Sequence, residues 1–293
     1  MDTMRSFSYQ GHEVSYRREG RGSPIVFLHN GGTSHRIWEP LLERYARDHD
    51  VIAMDMLGFG RSARPRVNYT LDLYVSQLAA LLDELERVTL VGNCMGAATV
   101  LTYATQRPER TQTVIAVNVL TDHTVARGNL RPLLWITRRS HRTAAVLGWL
   151  GAHLRTPKLI AAASVRTMLL VEPERVSREL RDYLRDASRD PDQPRVMLSI
   201  IEHIGSFAGV EHNHVPVPVC VIWGADNGVL PARDGAQFCS ALHPDCEVVV
   251  PHSGHLAMLE RPAEVAHAID GFLAEQNHLA AGPPHAPKAA STA

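Results

Sequence analysis

The chain has 293 residues, 45% of them hydrophobic and 21% charged, with a formal net charge of -1. That balance suits a globular enzyme with a sizeable core and argues against nucleic acid or an acidic membrane surface as the main partner. The four cysteines, at 94, 220, 239 and 246, have neither metal-ligand spacing nor the density of a disulfide scaffold. No window reaches the roughly 18 apolar residues that span a bilayer, and the first residues lack a signal-peptide run. The expectation is a cytoplasmic protein with no membrane partner, no metal and no cofactor.

Residues 6–18 alternate apolar and polar side chains about Gln10-Gly11-His12, which predicts an opening antiparallel hairpin. Residues 24–28 (PIVFL) form a short run of the kind buried on both faces, and it ends in His29-Asn30-Gly31-Gly32. A helix is expected over 37–45, a strand over 51–54 and a Gly-rich loop over 55–62 (DMLGFGRS). Thr70 caps a helix predicted to run to about residue 86. After a strand-turn-helix unit at 88–106, residues 113–119 (TVIAVNV) give a further buried strand. This alternation of strand and helix implies right-handed crossovers and a parallel sheet covered on both faces.

The alternation stops at Asp122. Residues 122–209 read as helices only, an insertion placed to cover the strand ends as a cap. The sheet resumes at 217–223, a helix follows over 231–241, the last strand spans 247–250, and a helix over 262–275 closes the chain. The Ala- and Pro-rich tail beyond residue 277 is expected to be disordered.

The stretch 88–96 (VTLVGNCMG) carries the most chemical information. Its spacing is that of a Gly-x-nucleophile-x-Gly elbow, in which Gly92 and Gly96 leave room for the crossing backbone. Cys94 stands where Ser is usual. The elbow lifts side chain 94 clear of the strand end and leaves the Met95 N-H at a helix N-terminus, facing the place where an oxyanion would form. A second N-H donor is expected from the loop after PIVFL, with Gly31 chosen because a residue without a side chain lets the backbone approach a carbonyl. Near the C-terminus, His252-Ser253-Gly254-His255 follows a strand and precedes a helix. His255, at the loop tip, is the candidate base; His252 is expected at the surface or behind it. Cys220, Cys239 and Cys246 are expected to be structural.

Taken in order, FLHNGG with Trp38 downstream, DMLGFGRS, LVGNCMG, VIWGADNGVLP and HSGHLAMLERP resemble the motifs of the α/β-hydrolase fold family. The match covers nearly the whole chain outside the cap. It implies an α/β fold with a mostly parallel eight-stranded sheet and helices on both faces. The implied core is 1–121 with 210–277, the helical cap is 122–209, and the tail is 278–293. The resemblance further implies Cys94 as nucleophile, His255 as general base, and the N-H groups of Met95 and Gly31 as an oxyanion hole.

Two positions depart from the family pattern. Counting from Gly224 to Pro231, the acid position falls on Asn227, with Asp226 one residue earlier. Asp226 is preferred, since a loop can accommodate a one-residue shift; Asn227 is the amide alternative, and Asp122, just after the 113–119 strand, is a third candidate. An amide is tolerable beside a thiol, because a thiolate-imidazolium pair can pre-exist, as Cys-His-Asn sites illustrate. Asn30 stands where the family's loop usually reads Gly after His, either facing substrate or satisfying loop backbone. The function so implied is a hydrolase of an ester or thioester working through an acyl-Cys intermediate. The substrate would be a small acyl compound, free or carrier-bound. Acyl transfer or cyclisation onto an amine or alcohol, a non-hydrolytic lyase-type reaction, and a non-catalytic binding protein are the alternatives.

Overall fold

The computed structural model describes residues 4–129, 169–210 and 214–281, together with residues 131, 132, 134, 135, 159, 162, 163 and 165. Its sheet has eight strands in the order β1-β2-β4-β3-β5-β6-β7-β8. β1 (Met4–Tyr9) and β2 (His12–Gly20) form the expected hairpin, and β2 pairs antiparallel with β4 (His49–Met54). From β4 onward every pairing is parallel, through β3 (Ser23–Leu28), β5 (Val88–Asn93), β6 (Thr111–Val117), β7 (Val219–Gly224) and β8 (Cys246–Val250).

The parallel strands read as continuous apolar runs because helices cover both faces, and successive side chains enter opposite cores. Val26, Leu28, Leu90 and Val114 pack on one side with Tyr74 and Leu78 of α2 (Leu71–Leu81) and Leu101 of α3 (Met95–Gln106). Ile25, Phe27, Val91 and Ile115 pack on the other with Leu42 of α1 (Glu39–Tyr45) and Ile269 of the C-terminal helix.

The chain runs from β3 outward to β4, then returns to β5 on the other side of β3. Strand order therefore reverses between β3 and β5, and a crevice opens above their carboxyl ends, the usual ligand position of an open α/β sheet.

Several element boundaries shift by one or two residues, and two helix ends differ by more. α2 stops at Leu81 rather than near residue 86, because the Arg110 guanidinium takes up the carbonyls of Leu82 and Asp83. The final helix, Pro262–Ala281, runs through residues 278–281, which the sequence assigned to a disordered tail. Ala, Leu and Gln are good helix formers, and the helix runs up to the Gly282-Pro283-Pro284 breaker. The rest of the tail lies outside the described residues.

Between residues 122 and 209 the described residues include α4 (Asp122–Val125), α5 (Arg178–Ala187) and α6 (Gln193–Glu202), with further helical residues at 131, 132, 134, 135, 159, 162 and 163, and no strand occurs among them. Most of residues 133–154, part of the stretch read as helical from the sequence, lies outside the described residues. Hydrogen bonds join α5 and α6 to the β3 and β4 loops: Tyr183 Oη donates to Ser34 Oγ at 2.6 Å, and Arg195 donates to the carbonyls of Arg64 and Pro65. Glu260, on the short α8 (Ala257–Glu260) that follows α7 (Ala232–Leu242), accepts the N-H groups of Val171, Glu172 and Gly254. The final helix is α9. No described helix is long and apolar enough to cross a membrane.

Candidate active site

Cys94 alone makes the turn from β5 to α3, with φ 56° and ψ -113°. Holding an L-residue there costs on the order of 1–3 kcal/mol. The cost is met locally: the Cys94 N-H donates to the Val117 carbonyl of β6 at 2.9 Å, and its own carbonyl accepts the Ala98 N-H at 3.1 Å. Both elbow glycines are sterically required. A Cβ on Gly92 would sit 2.4 Å from the Gly96 carbonyl, and one on Gly96 would sit 2.5 Å from the Leu28 oxygen.

Cys94 and His255 line one cavity of about 270 Å³, which Gly31, Asn30 and Met95 also border. Its remaining wall is mainly aliphatic and thioether, including Leu120, Met197, Ile200, Ile204 and Val229, with Gln193 of α6 and Ser188, just past α5, as polar groups. The β3 loop approaches closely here: a side chain on Gly31 would meet the sulfurs of Met95 and Met197 at 3.2 Å.

The imidazole of His255 meets Asn227 Oδ1 through Nδ1 at 3.3 Å. That same oxygen accepts the N-H groups of Val229 and Leu230, each at 3.0 Å. Backbone N-H groups can only donate, so the amide atom they share must be the oxygen, and Nδ1 must carry the proton. The bare lone pair is then on Nε2, as a general base requires.

Asp226, preferred from the sequence, is not the residue brought to the histidine. It is exposed, and its N-H donates to the Ser253 carbonyl at 3.0 Å, while Asn227 is buried and turned to the ring. In this tight turn adjacent side chains go to opposite sides, so the one-residue shift does not occur. Asp122 begins α4, and its side chain lies outside the described residues. Asn30 borders the cavity, but its amide is committed to the protein: Oδ1 accepts from Thr33 and Asn93, and Nδ2 donates to the Gly31 carbonyl. Of its two readings, satisfaction of the loop is the one with bonds behind it.

Burial governs the protonation of the pair. It pushes the Cys94 thiol up to about 12, with only the Met95 backbone N-H working the other way. Burial alone pulls His255 down to about 4. Burial thus favours the neutral thiol and the neutral imidazole over a thiolate-imidazolium pair, and an amide offers the imidazolium no countercharge.

Sequence reasoning missed Asn93 and Asn118, two fully buried amides behind the site. The available signal was a lone polar residue closing an otherwise apolar strand, since such a group must find a partner.

The chain belongs to the α/β hydrolase fold family, whose pattern matches residues 23–262. The 2-hydroxy-6-oxo-6-(2'-aminophenyl)hexa-2,4-dienoic acid hydrolase of Metapseudomonas resinovorans is 29% identical over 273 residues, covering 91% of this chain and 89% of that protein. The 2-hydroxymuconate semialdehyde hydrolase of Pseudomonas sp. (strain CF600) is 24% identical over 283 residues, covering 92% and 93%. In fold, a thermophilic esterase from Thermogutta terrifontis superposes with a TM-score of 0.75 at 20% identity, covering 93% of this chain and 97% of the esterase.

Proposed function

We propose that the protein is a hydrolase that takes an apolar acyl group from an ester or thioester onto Cys94. The observation that carries this is a thiol on a strained elbow, opening into the same cavity as a histidine whose Nε2 is left bare. As Sγ attacks the carbonyl carbon, its proton passes to His255 Nε2. Charge developing on the carbonyl oxygen is met by the N-H groups of Met95 and Gly31. The acyl C-O or C-S bond then breaks, and the leaving group takes the proton from His255. In the second half, water gives a proton to His255 and attacks the thioester; the acid departs, and Sγ recovers its proton. Because both partners start neutral, proton transfer accompanies attack.

The cavity, about 270 Å³, is of a size for a small acyl portion. Its aliphatic wall favours an uncharged one. Intact-mass measurement after mixing with activated esters and thioesters of graded chain length tests the proposal. An acyl adduct on the wild type that is absent from Cys94→Ala supports it; turnover that persists in Cys94→Ala overturns it.

A second reading has support from the names of the relatives, which act on oxo-dienoic acids and a semialdehyde. There the attacked carbonyl would be a ketone or aldehyde. Adding such an acid to the panel separates the two, and product analysis with added amines separates hydrolysis from acyl transfer.

A further inference from the structure

Asn118 stands one residue beyond β6 with φ 47°, is fully buried, and is not among the cavity-lining residues, yet three of the loops around the site converge on it. Its Oδ1 accepts the N-H of Gly224, the last residue of β7, at 3.0 Å. Its Nδ2 donates to Asn93 Oδ1 at 3.3 Å and to the backbone carbonyl of His255 at 3.2 Å. Asn93, the residue before Cys94, donates from Nδ2 to the same His255 carbonyl at 3.3 Å and to Asn30 Oδ1 at 3.2 Å. A carbonyl can only accept and a backbone N-H can only donate, so these bonds fix the two amides in a single orientation.

We infer that Asn118 is a positioning residue: with Asn93, it locks the His255 backbone against the Cys94 elbow and ties the end of β7 into the same joint. The inference rests on reading Cys94 and His255 as the reacting pair. His255 needs such a lock because its ring has one long bond, to a neutral amide that two backbone N-H groups already share. Where Nε2 lies relative to Sγ is therefore set by the backbone of residue 255, whose carbonyl takes two side-chain donors. A displacement of about 1 Å at a reacting pair can cost about a hundredfold in rate.

The lock can be removed without forcing the fold. Glycine accepts the positive φ at 118 without a Cβ penalty, whereas Asn118→Ala adds backbone strain to the loss of the amide. Asn118→Gly, assayed well below its melting temperature, is expected to lose roughly tenfold to a hundredfold in kcat with KM within about twofold. Asn118→Asp keeps the acceptor for Gly224 but sets a carboxylate oxygen against the His255 carbonyl, and is expected to do no better.

A second readout requires no turnover. The His255 ring, titrated by NMR, should move from about 4 toward the ordinary 6.5 as water reaches the loosened loop. The titratable groups about it are Cys94, across the cavity, and Glu260, whose carboxylate is bound to the Gly254 N-H. If Asn118→Gly keeps both its kcat and its His255 titration while only its melting temperature changes, Asn118 is structural and the inference falls. A shifted titration in a protein that forms no acyl adduct would uphold the lock and sink the acyl-Cys proposal instead.

Discussion

Two buried histidines in this molecule lean on an Asx side chain through Nδ1, and they are built differently. His35 meets the fully buried carboxylate of Asp55 at 2.8 Å, and Asp55 also accepts the N-H groups of His35 and Arg61. Burial works against the Asp55 charge, but His35, His29 and these donors outweigh it and hold the carboxyl below its ordinary range. Among the described residues the His255 ring meets the Asn227 amide alone, at 3.3 Å. The fold can thus bury a carboxylate beside a histidine, and does so where the pair pins the 55–62 loop. In the cavity it sets a histidine against a neutral amide, which on the proposed function would suit a thiol that reacts without a standing ion pair.

The largest expected effect of breaking this contrast is at the thiol. Cys94→Ala should reduce kcat by at least about a thousandfold, measured by steady-state ester hydrolysis. Cys94→Ser should be nearly as poor, because a serine needs a carboxylate to hold and stabilise the imidazolium. Adding Asn227→Asp to Cys94→Ser should then recover about tenfold, a coupling that a double-mutant cycle measures directly. The site can accept that aspartate: its oxygens would keep the donors of Val229, Leu230 and His255, and the buried, unpartnered Nδ2 of Asn227 would be gone.

At the other histidine the loss should be one of stability. Asp55→Asn should cost about 3 kcal/mol in urea unfolding, because a buried, multiply bonded charge loses its match to His35. Asn227→Ala should lower kcat by roughly tenfold to a hundredfold, less than loss of the nucleophile, since the imidazole keeps its identity and loses only its orientation.

The smallest effects are in pH dependence. With His255 near 4 and Cys94 near 12, kcat/KM should fall only below about pH 5 and stay flat through neutrality. A limb near pH 8 would mean that a thiolate forms after all. His29 and His255 both sit near 4 in the folded chain against 6.5 ordinarily. The unfolded chain therefore binds more protons between these values, and the melting temperature should drop as pH falls from about 6.5 to 4. Asp55 is lowered, so its contribution is present above its ordinary value and is lost only as pH falls below about 4.

Much of this architecture was legible in the residues. The hairpin, the apolar parallel strands and the elbow follow from local rules: period-two alternation, continuous apolar runs, and two glycines spaced around Cys94. The end of α2 was not legible, because Arg110 sits 28 residues from the Leu82 carbonyl it takes up. Nor was the amide joint at Asn118, whose partners come from β5, the β7 end and the His255 loop.

By itself the sequence determined that Cys94 sits on a strand-to-helix elbow, because backbone sterics over five residues dictate that turn. Only the tertiary structure decided which of two adjacent residues meets the imidazole. The Asp226 N-H is held by the Ser253 carbonyl, and Asn227 Oδ1 is captured by Val229 and Leu230, so the loop turns residue 227 inward and leaves 226 in solvent. The protonation of the pair was likewise decided in three dimensions. Whether a thiol and an imidazole rest as ions or as neutral groups depends on how far from water the fold holds them, and this fold buries both.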